Sequence, residues 1–288
     1  MGESIIPKTS DEESPSIRSI NQQKIKTDDK CQITIQKMLN IEGFLSGYGF
    51  LSFGRDFVLL NNQIISLQII ITSSELTAGS IISCCEAGCF ADANTLLRKL
   101  RDDLFFYLYI MEYDRRRKLG VEDQRTKSME KNIEKWINNT LNDLPIGEVL
   151  KAISQSAATR EAVSRYKLKE YFTNISRRLN DYVHGNGIGF YNNNVYAISD
   201  DVRHKQIYAI LEDMRFITVT FLFLLTLCSP LSIMSTDYID ALDCGYPPPE
   251  GSQYWVPPFI VDFFKTNLDL IDGNCLSYLK ENTSMEIE

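Results

Sequence analysis

Two kinds of side chain with complementary chemistry meet in one short run. Arg177-Arg178-Leu179-Asn180-Asp181-Tyr182-Val183-His184 holds one of the two histidines in the chain, and a Gly-rich stretch follows at Gly185-Asn186-Gly187. Imidazole changes protonation near neutral pH and serves as general base or acid. Guanidinium holds phosphate oxygens and stabilises their developing charge. Together they suit cleavage of RNA through its own 2′-hydroxyl, a reaction that needs no metal. Residues 160–184 carry six basic side chains (Arg160, Arg165, Lys167, Lys169, Arg177, Arg178) against Glu161, Glu170 and Asp181, a local +3 within a chain of net −8. Tyr166, Tyr171, Phe172 and Tyr182 are interleaved with them, the composition expected of a phosphate-facing patch. The candidate catalytic set is His184, Arg178, Arg177 and Asn180, with Lys167, Lys169 and Tyr182 as candidate substrate-binding residues.

Spacing constrains the pairing. Arg177 lies seven residues before His184, so on a helix the two differ by only about 20° and share a face. Arg178 lies six before it and points about 120° away. Each residue also has a purely structural reading. Arg177 and Arg178 stand four and three residues before Asp181, the spacing of solvated helix pairs worth about 0.2–0.5 kcal/mol. His184 suits a helix C-terminus, where the dipole favours a cation.

The elements that must position these residues read as helices. Residues 1–30 have few large apolar side chains and both charge signs, the pattern of a disordered tail. Residues 31–73 are a mixed segment in which a small hairpin and a buried helix are both consistent with the pattern. A helical bundle is expected over 74–235. Ser74 would cap its first helix. An amphipathic helix follows in FADANTLLRKLRDDLFFYLYIMEYDRRRK, with a basic end at Arg115–Lys118 that is expected to be solvated or to extend an RNA surface. A shorter helix opens near Ser128, and Pro145 starts another. TREAVSRYKLKEYFTNISRRLNDYVH makes a fifth, stopped by Gly185. The Gly/Asn-rich excursion after it carries two short β-like runs about Asn192–Asn194. Asp200 or Asp201 would cap a long helix that Pro230 ends. Residues 236–288 form a Pro-rich connector and a C-terminal helix. Its acidic segment 262–288 is expected to pack back on the bundle, dock a partner or mask the basic helix.

An Arg followed after four to six residues by His, near the end of a helix in an all-α bundle, resembles the HEPN superfamily. Arg178 and Arg177 both meet that spacing, Asn180 matches the polar residue four before the histidine, and Leu179 stands where the commonest pattern has the arginine. The likeness covers about residues 75–230, including the ANTLLRKLRDDLFFYLYI helix. It implies a homodimer and a metal-independent endoribonuclease in a toxin or antiviral-defence setting, with His184 as acid/base, Arg178 or Arg177 as phosphate clamp, and an antitoxin or regulatory protein as partner. It equally implies the superfamily's non-catalytic interaction modules.

Composition sets the outer limits. The 288 residues are 44% hydrophobic and 24% charged, an ordinary globular mixture. A pI near 5.0 excludes coating of polyanions by bulk charge. The seven cysteines include Cys84, Cys85 and Cys89, read as small apolar side chains on a helix, not as a thiolate cluster. No metal or cofactor is expected. His204 reads as a surface residue. No secretory signal opens the chain and Ile6 breaks a myristoylation pattern, so the expected compartment is reducing and cytoplasmic. The run Phe216–Thr236 has 21 uncharged residues, near the length of a membrane span. Pro230 and several Ser and Thr interrupt it, and the expected reading is a buried helix without membrane contact.

Overall fold

Helix formation begins inside the stretch expected to be a disordered tail. α1 (Ile17–Lys26) is capped by Ser16, whose side chain accepts from Ser19 N at 3.1 Å. α2 (Asp29–Leu51) is capped by Asp28, whose Oδ1 accepts from Lys30 N at 2.9 Å and Cys31 N at 3.2 Å. The low apolar content of α1 hides how it is held. Ile25 and Asn21 are buried, and Asn21 lies where Gly88 lets the backbone come close. Gly88 has φ +74°, and a Cβ there would meet Asn21 Cβ at 2.7 Å. The computed structural model describes residues 15–185, 188, 191–192, 199–247, 255–283, 285 and 287, so the tail expectation for residues 1–14 lies outside the described residues.

The mixed segment 31–73 resolves into both of its alternatives. After α2, β1 (Phe57–Leu60) pairs antiparallel with β2 (Gln63–Ser66), with Phe57 opposite Ser66 and Leu60 opposite Gln63. Asn61 and Asn62 turn the hairpin at φ +47° and +64°, the conformation of a two-residue type I′ turn that Asn tolerates. α3 (Gln68–Glu86) then starts seven residues earlier than a Ser74 cap predicts, with Leu67 at the cap position. Ser74 is instead buried, and its hydroxyl donates to Ile70 O inside the helix at 2.8 Å.

Four long helices make the core. α4 (Phe90–Lys118) and α9 (Asp200–Cys228) have 29 residues each, about 43 Å long at 1.5 Å per residue. α2 packs on α3 and α9, and α4 packs on α3 and α9, closing a four-helix ring. The α3–α4 link is only residues 87–89, which makes those helices antiparallel neighbours. Near one end of the ring Tyr48, Tyr107 and Phe221 from α2, α4 and α9 meet edge to face, with centroids 5.6–6.3 Å apart. Phe216–Cys228, the apolar run, is buried throughout. Among the described residues no helix is long and apolar enough to cross a membrane.

A buried carboxylate closes that end. Asp56 Oδ2 accepts from Tyr48 OH at 3.2 Å and from Tyr107 OH, and its Oδ1 accepts from Ser232 Oγ at 3.1 Å. Arg55 beside it donates to Met234 O at 2.9 Å and Leu231 O at 2.6 Å. The hairpin base is thereby fastened to the 3-10 turn Pro230–Ile233 that follows α9.

Shorter helices surround the ring: α5 (Gln124–Ile137), α6 (Ile146–Ile153), α7 (Ala157–Arg165), α8 (Leu168–Val183), α10 (Thr236–Cys244), α11 (Pro258–Asn267) and α12 (Cys275–Thr283). Several boundaries differ from expectation. Asp123 caps α5, ahead of Ser128. The expected fifth helix breaks into α7 and α8 because Lys167 takes a left-handed conformation at φ +50°. Ser199, not Asp200 or Asp201, stands at the cap of α9, and the two aspartates occupy its first turn. Between Gly185 and Ser199, Ile188, Tyr191 and Asn192 are described and are helical; the rest of the expected β-like runs lies outside the described residues. The mainly α bundle is as expected, with its hairpin at 57–66. The C-terminal segment packs back on the bundle, where Tyr278 OH donates to Ala158 O at 2.7 Å.

Candidate functional site

α8 carries the candidate residues, and its buried stripe fixes which of them face outward. Leu168, Phe172, Ile175 and Leu179 are buried at steps of four, three and four, one face of a helix. Phe172 meets Phe105 of α4 at 4.6 Å and Phe216 of α9 at 5.4 Å, while Tyr171 stacks on Phe216 at 3.6 Å. α8 therefore lies along the seam between α4 and α9.

Polar contacts finish that docking and consume one of the candidate arginines. Arg101 of α4, itself buried, donates to Ser176 Oγ at 2.8 Å. Arg178 donates to Asp213 of α9 and reaches Asn94 Oδ1 of α4 at 3.4 Å. Burial holds the Asp213 carboxyl above the usual carboxylate range, opposed by the Arg178 charge and hydrogen bond. Arg178 thus pins one helix to two others, a partnership different from the Asp181 pair that spacing alone suggested.

Arg177 and His184 are both exposed, and among the described residues neither side chain has a hydrogen-bonding or ionic partner. His184 is the C-cap of α8, its backbone N–H donating to Asn180 O at 3.0 Å. Gly185 follows at φ +59° and ends the helix as the sequence predicted. Asn180 and Tyr182 are half-buried beside this end. Lys167 and Lys169 are exposed but stand at the opposite end of α8, about 24 Å away along a helix of this length. The structure therefore groups Arg177, Asn180, Tyr182 and His184 and separates the two lysines from them.

Other basic residues of the sequence patch are engaged. Arg160 donates to Ser154 O and Gln155 O. Arg165 lies over the rings of Tyr166 and Tyr278 at 5.8 and 5.6 Å. The cluster Arg115–Lys118 is solvated only in part: Arg117 and Lys118 are exposed, as its sequence suggests, while Arg116 is buried. Arg115 pairs with Glu112 at 2.7 Å, buried Arg116 reaches Asp123 at 2.6 Å and Thr126 Oγ1 at 2.9 Å, Arg117 donates to Leu59 O, and Lys118 pairs with Asp114 at 2.6 Å. The bonds of Arg116 and Arg117 tie the end of α4 to α5 and the hairpin, and the other two pairs lie within α4 itself.

Sequence reasoning passed over two further clusters. One is Asp56 with its three hydroxyl donors, whose members are scattered from Tyr48 to Ser232; burial keeps this carboxyl above the ordinary range against those donors. The other is at the start of α2, where His204 Nε2 lies 2.6 Å from Asp28 Oδ2. Cys31 shares that place, and its thiol is pushed up to about 11 by burial and then by the Asp28 charge. The Asp-x-x-Cys spacing at a helix start was the available signal, masked by reading residues 1–30 as a tail. Burial likewise raises the thiols of Cys84, Cys85 and Cys89, which favours their protonated form. A cleft of about 760 Å³ between α2 and α11, floored by Phe44, Phe259 and Phe263, is lined by none of the candidate residues.

The chain matches no family model, no curated protein and no solved structure.

Proposed function

We propose that this protein is a HEPN-like, metal-independent endoribonuclease in which His184 moves the proton and Arg177, not Arg178, clamps the scissile phosphate. The observation that carries this reading is the shared exposure of Arg177 and His184 at one end of α8, on a common helix face by their spacing, while Arg178 is held by Asp213 and Asn94. In the reaction, His184 takes the proton from a ribose 2′-hydroxyl. The oxygen attacks the adjacent phosphorus, the bond to the 5′-oxygen breaks, and that oxygen receives a proton back from the His184 imidazolium, which restores the neutral ring. The products are a 2′,3′-cyclic phosphate and a 5′-hydroxyl. Arg177 neutralises the extra negative charge on the phosphoryl oxygens as the attack proceeds.

Seven residues along a helix separate Arg177 from His184 by about 10 Å axially, a gap that the long guanidinium side chain, leaning toward the imidazole, spans around a single phosphate. The homodimer is what the HEPN resemblance implies. The toxin or defence setting and an antitoxin partner follow from the resemblance, and the cytoplasmic location from the sequence pattern. The engagement of Arg178 favours a second reading, a non-catalytic HEPN-like interaction module whose exposed α8 end binds a partner. Incubating the purified protein with mixed RNA in EDTA separates the two. The nuclease reading expects cleavage that survives chelation and is lost in Arg177→Ala; intact RNA with folded, dimeric protein supports the interaction module.

A further inference from the structure

The start of α2 and the start of α9 bring together three side chains of different donor chemistry. Asp28 offers a carboxylate oxygen, Cys31 a sulfur and His204 a ring nitrogen, and these three atoms all lie within 4.8 Å of one another. Asp28 and Cys31 are three residues apart, the first at the helix cap and the second in the first turn. His204 comes from a separate helix, 173 positions after Cys31 in the sequence. We propose that Asp28, Cys31 and His204 form a binding site for a transition-metal ion of the zinc class that clips the two helix starts together.

Donor type and spacing support the assignment. A mixed oxygen, sulfur and nitrogen set selects zinc-like ions over calcium or magnesium, which take oxygen ligands. Bonds of 2.0–2.3 Å in a tetrahedron place donors about 3.3–3.6 Å apart. The Asp28–His204 pair, at 2.6 Å, opens by less than about 1 Å to admit the ion, and the separations to Cys31, all within 4.8 Å, close by up to about 1.5 Å. Access comes from the solvent side, because the His204 and Asp28 side chains are 27% and 18% exposed while Cys31 is fully buried behind them. Asp200 stands four residues before His204, on the same face of α9, and its carboxylate is exposed. It or a water completes the fourth position.

Charge is consistent with an ion there. Arg203 is buried in the same neighbourhood and pairs with Asp200, which alone would repel a cation. With the Cys31 thiolate, Asp28 and Asp200, the negative groups number three. A divalent ion plus Arg203 supplies the same positive charge, so the loaded site is neutral. The Asp28–His204 contact by itself is explained as a helix-cap ion pair. The buried Cys31 thiol also bonds to Asp28, so all three donors converge on one point.

Cobalt(II) added to the fully reduced full-length protein tests the site, because a tetrahedral thiolate ligand gives cobalt a near-ultraviolet charge-transfer band and intense visible bands. The expected result is saturation at one cobalt per chain, with charge-transfer intensity for a single thiolate and displacement by zinc. Cys31→Ala, which leaves the Asp28–His204 pair in place, and His204→Ala, checked for native circular dichroism, both lose the band. No such band in the wild type, intensity for two or more thiolates, or an undiminished band in folded Cys31→Ala overturns the proposal. RNA cleavage plays no part in the readout, so this result and the nuclease reading stand or fall separately.

Discussion

Arg178 of α8 donates to Asp213 of α9, and the neighbouring Arg177 faces solvent. Two adjacent arginines with nearly equal claims in sequence thus have different work. The difference comes from helix geometry: one step along α8 turns a side chain by about 100°, enough to move it from the seam with α4 and α9 to the open face. Asp213 is buried, and Arg178 is the cation it pairs with among the described residues.

Removing that partner should cost stability, and removing its neighbour should not. Arg178→Ala leaves a buried carboxylate without its guanidinium. The Arg178 side chain is 40% exposed, so water screens part of the attraction, and the expected loss is about 1–2 kcal/mol. Arg177→Ala should stay within about 0.5 kcal/mol of wild type. Urea unfolding of both variants checks the contrast; equal effects would contradict the division of roles.

The buried Asp56 predicts a pH dependence of known sign. Its native carboxyl titrates above the usual range, mainly because burial disfavours the charge. Between the unfolded value near 3.9 and the raised native value the folded state holds the additional proton. Asp56 therefore favours folding at low pH, and that advantage is lost as pH rises through the native value. Asp56→Asn removes this titration. The stability of wild type minus that of the variant should shrink as pH rises above about 4. Urea unfolding across that range reads it, and a difference that grows with pH would be contrary.

Inside α9, the hydroxyls of Thr218 and Thr220 are buried with no hydrogen-bond partner among the described residues. An unmade hydrogen bond of this kind costs about 1–3 kcal/mol of desolvation. Thr220→Val keeps the branched shape and removes the hydroxyl, so it is expected to be neutral to about 1 kcal/mol stabilising, an unusual direction for a core substitution. Thermal unfolding measures it. A loss of more than about 1 kcal/mol would mean that the hydroxyl has a role the packing does not reveal.

Gly88 links α3 to α4 at a backbone conformation few residues adopt, and it also leaves room for Asn21. Gly88→Ala meets both obstacles and should destabilise by more than about 1 kcal/mol. Gly43→Ala has nothing within 4 Å of its new Cβ, so the same exchange inside α2 should be stabilising by about 0.5–1 kcal/mol. Opposite signs for the two variants in urea unfolding are the expected outcome.

The helical class was legible because α4 and α9 carry long, strongly apolar faces, and the end of α8 because Gly185 stops it. Boundaries were less so. α3 begins at Gln68 through packing of Leu67, Ile70 and Ile71, all buried, which no cap signals. α1 was missed because an amphipathic helix with only two buried residues is hard to tell from a tail by composition. At the candidate site, the spacing of Arg177 and His184 was readable, whereas the partner of Arg178 lies 35 positions away in sequence. The Asp28–His204 contact joins residues 176 positions apart. Contacts of that range are set by tertiary packing, and no local pattern announces them.

The central claim is that His184 performs acid–base chemistry on RNA at an exposed helix end. The most direct measurement compares wild type and His184→Ala, matched for folding by urea unfolding, on a defined RNA in EDTA, with the new ends identified by mass spectrometry. The account predicts 2′,3′-cyclic phosphate and 5′-hydroxyl ends from the wild type, and a loss of at least about 100-fold in the variant. Cleavage of equal rate by His184→Ala, or ends carrying a 5′-phosphate, would contradict it.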